Sequence, residues 1–164
     1  MKKLFIFGTA LFLVLGLTNK GSAHSNYDSS HSVDNGEIRW GTYHGSTKYT
    51  SARNNAISKW DAVGVINIAG DTSTTIEDLS FTDYSANDGV LGYWRQYSGA
   101  DKIAFNDYYF QDMSDCERNH TALHELGHAL DLEHNSVSGS VMNSGKICRS
   151  SLGNHDVEDL KARW

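Results

Sequence analysis

Residues 37–43 read as a first strand, with Ile38 and Trp40 on one side and Glu37 and Arg39 on the other, the two-residue period of a half-buried strand. The period then changes. Ala52, Ala56, Ile57 and Trp60 recur at helical steps, and Thr50 or Ser51 can cap a helix running to about Asp61. Residues 63–69 suit a second strand, and Leu79 and Phe81 lie in a third. Residues 90–97 and 101–107 flank Ser98-Gly99-Ala100 and read as a hairpin. A longer helix starts near Ser114, where Ser114 and Glu117 have capping-box spacing, and Leu123, Leu126 and Leu130 form its apolar face. A short final helix covers residues 154–163, with Val157 and Leu160 inward.

The N-terminus has a different pattern. Lys2 and Lys3 precede residues 4–17, apolar except for Thr9, and Gly21-Ser22-Ala23 supplies small residues for cleavage. Residues 1–23 therefore read as a secretory signal peptide, too short for a membrane anchor. Residues 24–36 are polar and read as a flexible leader, and residues 37–164 as one folded domain. The expected product is secreted, extracellular and monomeric.

Charge narrows the partners. The 164-residue chain has 14 basic and 20 acidic residues; removing residues 1–23 takes three lysines and no acids, leaving 11 against 20, a net −9. Such a surface argues against nucleic acid or an anionic membrane as partner. The two cysteines, Cys116 and Cys148, are expected to pair in an exported chain. The alternatives are two unpaired thiols or a thiolate metal ligand.

Three of the eight histidines fall in HELGHALDLEH, residues 124–134. His124 and His128 are four apart, so on a helix their imidazoles lie on one face, about 6 Å apart along the axis, and can converge on one ion. A catalytic zinc takes three protein ligands and keeps a position for water. His120 also stands four from His124, but it is eight from His128, about 12 Å along the axis, so those three rings cannot close on one ion. His134 can, provided the helix ends after His128. Asp131 lies in that gap and is among the few non-glycine residues that tolerate a left-handed turn. Glu125, beside the first ligand, is placed to take a proton from a zinc-bound water and pass it to the leaving amine.

HELGHALDLEH resembles the metzincin signature of zinc metalloendopeptidases, and Val141-Met142-Asn143 resembles its Met-turn. The spacing from His134 to Met142 is similar to that of the matrixins, the matrix-metalloproteinase-like branch. Ile103-Ala104-Phe105-Asn106-Asp107 and residues 154–160 are similar to flanking elements of that branch, so the resemblance covers roughly residues 37–164. It implies an α+β zincin/metzincin fold: a twisted, mostly parallel sheet of about five strands with an active-site helix, a second long helix and a short C-terminal helix. It also implies one catalytic Zn2+ on His124, His128 and His134, Glu125 as the catalytic group, and Met142 beneath the metal. Substrates would be extended protein or peptide chains, paired along the edge strand at residues 90–97.

This chain departs from the pattern in several places. Asp131 replaces the usual glycine, and Asn143-Ser144-Gly145 replaces the usual tyrosine and proline after the Met-turn. No histidine lies between His44 and His120 for a second, structural zinc, and the prodomain cysteine of those enzymes is missing. Asp83, Asn87 and Asp88 gather hard oxygen ligands and are a Ca2+ candidate, against a solvated turn. The expected function is a secreted zinc endopeptidase. The alternative is a secreted, non-catalytic zinc-binding protein, which would have no need of Glu125.

Overall fold

A computed structural model describes residues 31–164. The signal-peptide reading of residues 1–23 lies outside the described residues, as do residues 24–30 of the expected leader. The elements are β1 (Glu37–Gly41), α1 (Thr50–Asp61), β2 (Asn67–Gly70), β3 (Leu79–Tyr84), β4 (Gly92–Arg95), β5 (Asp101–Asn106), α2 (Asp107–Phe110), α3 (Asp115–Ala129) and α4 (Asn154–Arg163).

The five strands form one sheet in the order β2-β1-β3-β5-β4. β1 pairs in parallel with β2 and β3, and β3 in parallel with β5, whereas β4 is antiparallel to β5 and ends the sheet. Parallel neighbours need a crossover, and α1 provides it between β1 and β2. Ile38, Leu79, Phe81, Ile103 and Phe105 from the sheet share one core with Ala52, Ala56 and Trp60 of α1 and Leu123 and Leu126 of α3. The two alanines let α1 lie close to α3, and the Trp60 indole N–H donates to Leu123 O at 3.0 Å. Each large side chain fully removed from water contributes roughly 1.5–3 kcal/mol, so this layer fixes α3 against the sheet. Most of α3 is enclosed: every residue from His120 to Gly127 is buried.

Glu117 accepts from the Ser114 N–H at 2.7 Å, the bond that the capping-box spacing predicts, and the Ser114 hydroxyl also donates to it at 2.7 Å. Other expectations need correction. The N-cap of α1 is Tyr49, with no side-chain cap, and Thr50 is already helical. β2 begins at Asn67 rather than at residue 63, because Gly64, with φ 74°, turns the chain after α1. α2 was not expected; the Asn106 carboxamide caps it by accepting from Tyr108 N–H at 3.2 Å. Part of the expected flexible leader is anchored. Ser32 N–H donates to Ala129 O and Ser32 Oγ to Asp101, both at 2.8 Å, and Val33 is buried.

The fold class is also corrected. A zincin/metzincin fold with a mostly parallel sheet and three helices was expected. Five strands are present and three of their four pairings are parallel, but the antiparallel edge makes the sheet mixed, and four helices accompany it. The antiparallel edge follows from the tight 98–100 turn, which returns the chain beside β4 with no crossover.

Candidate metal centre

α3 carries His124 and His128 on one face, and the chain reverses after Leu130 to return His134 to them. The reversal has the hydrogen bonds of a Schellman motif: Leu132 N–H donates to Gly127 O at 3.0 Å and Asp131 N–H to His128 O at 2.9 Å. Asp131 has φ 65°, the left-handed conformation expected of it. The three Nε2 atoms converge, with separations of 2.9 Å (His124 to His134), 3.1 Å (His128 to His134) and 3.2 Å (His124 to His128). Three nitrogens about 2 Å from one tetrahedral ion would stand roughly 3.3 Å apart, so the triad could hold a metal ion with little adjustment.

Two rings are oriented from behind. His124 Nδ1 faces Val141 O at 2.9 Å and His128 Nδ1 faces Leu132 O at 2.8 Å. A carbonyl can only accept, so each Nδ1 carries the proton and each Nε2 presents its lone pair to the other rings. Burial, then the neighbouring His128, pushes His124 down to about 3, which keeps it neutral. Neutral imidazole is the form that binds metal.

Glu125 lines the same cleft, beside β4. Gly92 faces α3 there: a Cβ on it would crowd Ala104 O at 3.1 Å and Thr121 Cγ2 at 3.2 Å, and would touch Glu125 Cγ at an ordinary 3.5 Å. Burial pushes the Glu125 carboxyl up to about 8, against a lowering hydrogen bond from the Trp94 backbone. The cleft, about 360 Å³, is lined by the triad, Glu125, His120, Tyr93, Trp94, Ser144 and Gly145 among others. β4 is the edge strand expected at residues 90–97 and forms part of the cleft wall.

Met142 is fully buried, and a Cβ on Gly127 would collide with its sulfur, so it packs tightly against α3 behind the histidines. The turn carrying it is held by Asp156, a residue that sequence reasoning missed. Its carboxylate accepts from Ser140 Oγ at 2.5 Å, Val141 N–H at 3.0 Å and Gly153 N–H at 2.7 Å. Asp156 thus links α4 to the carbonyl that orients His124. The only sequence signal was an acid three residues after Gly153, at the start of a helix.

His120 stays outside the triad. Its ring centroid is 6.0 Å from that of His124, and neither ring nitrogen has a hydrogen-bond partner. The oxygens of Asp83, Asn87 and Asp88, the Ca2+ candidate, are engaged separately: Asp83 by Thr47 and Lys48, Asn87 by Tyr109, Asp88 by Val90 and Asn106. Among the His, Cys, Asp and Glu side chains of the described residues, His124, His128 and His134 form the one group of three that could hold a metal ion.

Cys116 and Cys148 are bridged, which leaves no thiolate for a metal. A disulfide is consistent with an extracellular protein. No helix of the described residues is long and apolar enough to cross a membrane.

No family model matches the chain, and no curated protein matches it. Among solved structures it is similar to a chain of the GM1-bound form of the ECX AB5 holotoxin, with a TM-score of 0.55 and 18% identity over 79% of this chain and 80% of that one. At that identity the likeness shows a shared fold alone. It is to this toxin chain, with the mixed sheet, that the fold is referred, in place of the zincin/metzincin class expected from the sequence.

Proposed function

We propose that this protein is a secreted zinc endopeptidase that hydrolyses extended protein substrates, with Glu125 as its proton-transfer group. One observation carries the reading: three imidazole nitrogens converge within 3.2 Å of one another, and a buried carboxyl sits one residue along the same helix, in the same cleft. The resemblance of residues 124–134 to a zinc-peptidase motif supports it.

Three converging imidazoles with an open side suit zinc, which when bound would act as a Lewis acid toward water and the scissile carbonyl. His124, His128 and His134 would hold it, with Val141 O and Leu132 O fixing the first two rings. Glu125 takes one proton from the attacking water as the water oxygen bonds to the carbonyl carbon. It then delivers that proton to the leaving nitrogen as the C–N bond breaks. Burial alone favours the protonated carboxyl, and a dication held by the three histidines would favour the carboxylate that can accept a proton.

The test is direct. The purified protein should contain about one zinc per chain and should cleave casein or gelatin, with cleavage abolished by a chelator and restored by added zinc. A zinc-loaded protein that cleaves no unfolded substrate would leave the non-catalytic zinc-binding reading in its place.

A further inference from the structure

We propose that Asp131 and Arg163 form a positioning pair that holds the chain reversal after α3 and so sets the metal affinity of the three-histidine site. The inference rests on the metal reading of that site, but neither residue is a ligand.

The position is unusual for its residue. Asp131 occupies the first place beyond the α3 C-cap, where the chain turns left-handed and glycine has no side chain to clash. Its side chain is almost wholly buried, and one oxygen has no hydrogen-bond partner. A buried carboxylate in a strained turn persists only where its surroundings hold it. Arg163, the last residue of α4, supplies the opposite charge through a direct Nε to Oδ2 ion pair. Its neighbour Trp164 donates from the indole N–H to Leu130 O at 3.0 Å, and the Arg163 guanidinium lies 4.4 Å from the Trp164 ring centroid. The end of α4 thus grips the reversal at two consecutive residues.

That reversal controls two ligands. Leu132, the residue after Asp131, offers the carbonyl that orients His128, and His134 follows two residues later. If Asp131 leaves the left-handed conformation, the Leu132 carbonyl rotates and His134 moves away from the other two rings. Partners of this kind, which touch a ligand's support rather than the metal, change metal affinity about 10- to 100-fold.

A pair that merely pins α4 to the body would have a different signature, and a mutant cycle separates the two. Zinc affinity is measured by chelator competition in wild type, Arg163→Ala, Asp131→Gly and the double variant. Hydrogen exchange of the Asp131 and Leu132 amides is followed in the metal-free protein. Arg163→Ala, which strands the buried carboxylate, should weaken zinc binding at least 10-fold and speed exchange at both amides. Asp131→Gly, which adopts the turn without a partner, should stay within about 3-fold of wild type. The double variant should recover to that level. Arg163→Ala within 3-fold of wild type would overturn the proposal, as would a double variant as weak as Arg163→Ala alone. If Arg163→Ala does not fold, recovery of fold and affinity on adding Asp131→Gly supports the pair, and failure to recover overturns it. A wild type that binds no zinc would sink the metal reading, while the exchange rates would still decide whether the pair holds the turn.

Discussion

Met142 packs against α3 at Gly127, where a Cβ would lie only 2.4 Å from the Met142 sulfur, well inside contact distance. This contact links the helix bearing His124 and His128 to the turn whose Val141 carbonyl orients His124. Gly127→Ala tests it. Alanine in place of glycine favours an isolated helix by about 1 kcal/mol. Overpacking a buried contact costs about 1–3 kcal/mol, and Met142 is enclosed, so the cost should win. The variant should melt several degrees below wild type by calorimetry and bind zinc more weakly. An unchanged or raised Tm would show that Met142 can move aside.

The ligand set is tested by two histidine variants. His134→Ala should reduce bound zinc well below one per chain, because it removes one of three converging nitrogens. His120→Ala should leave zinc near one per chain, since its ring stands outside the triad. Metal analysis giving the opposite pattern would defeat the assignment.

These features were unequally legible in the sequence. α3 and its cap could be read, because Ser114, Glu117 and the leucine spacing are local signals. The return of His134 could be read as well, because helix geometry forbids a straight continuation and Asp131 permits the turn. α2 was missed: it is a single turn capped by Asn106, too short for any periodicity. β2 was begun too early, because Val63 and Val65 look like strand residues although the chain is still turning at Gly64. Asp156 was missed because its partners, Ser140 and Val141, are 16 and 15 residues away and only the fold joins them. The anchoring of Ser32 on Ala129 and Asp101 is equally non-local. The fold class was read too narrowly, because a metal motif specifies a site and not the sheet that carries it.

Stability of the metal-free protein should depend on pH through Glu125. Burial raises this carboxyl from its ordinary 4.5 to about 8. A raised folded-state pKa contributes stability that is present below 4.5 and lost as pH rises through 8. Glu125→Gln removes that titration, so it should stabilise the metal-free protein at pH 9 more than at pH 4.5. One pKa unit is worth about 1.4 kcal/mol, and even that fraction of the shift would move Tm by roughly 4 °C. His124 acts in the opposite sense: its pKa is depressed from 6.5 to about 3, so its contribution is present above 6.5 and lost as pH falls toward 3. Calorimetry in chelator showing the same Glu125→Gln difference at both pH values would contradict the buried-carboxyl assignment.

The Cys116–Cys148 bridge spans a sequence separation of 32 residues and ties the start of α3 to the segment beyond the Met142 turn. Closing such a loop is worth about 3–4 kcal/mol in the chain-entropy model. The Cys116→Ser, Cys148→Ser double variant should therefore lose about that much stability in urea unfolding of the chelated protein. A loss under 1 kcal/mol would mean that the segment is held by other contacts, such as Arg149 N–H to Cys116 O at 3.0 Å.

The proposed activity is tested most directly by Glu125→Gln in the zinc-loaded protein, with zinc content and peptide hydrolysis measured on the same sample. The amide keeps the shape of the side chain and leaves the three imidazoles untouched, but it cannot accept a proton. The expected result is zinc near one per chain with turnover lowered at least about 10²-fold, mainly in kcat. Equal hydrolysis by the zinc-loaded wild type and variant would contradict the assignment of proton transfer to Glu125.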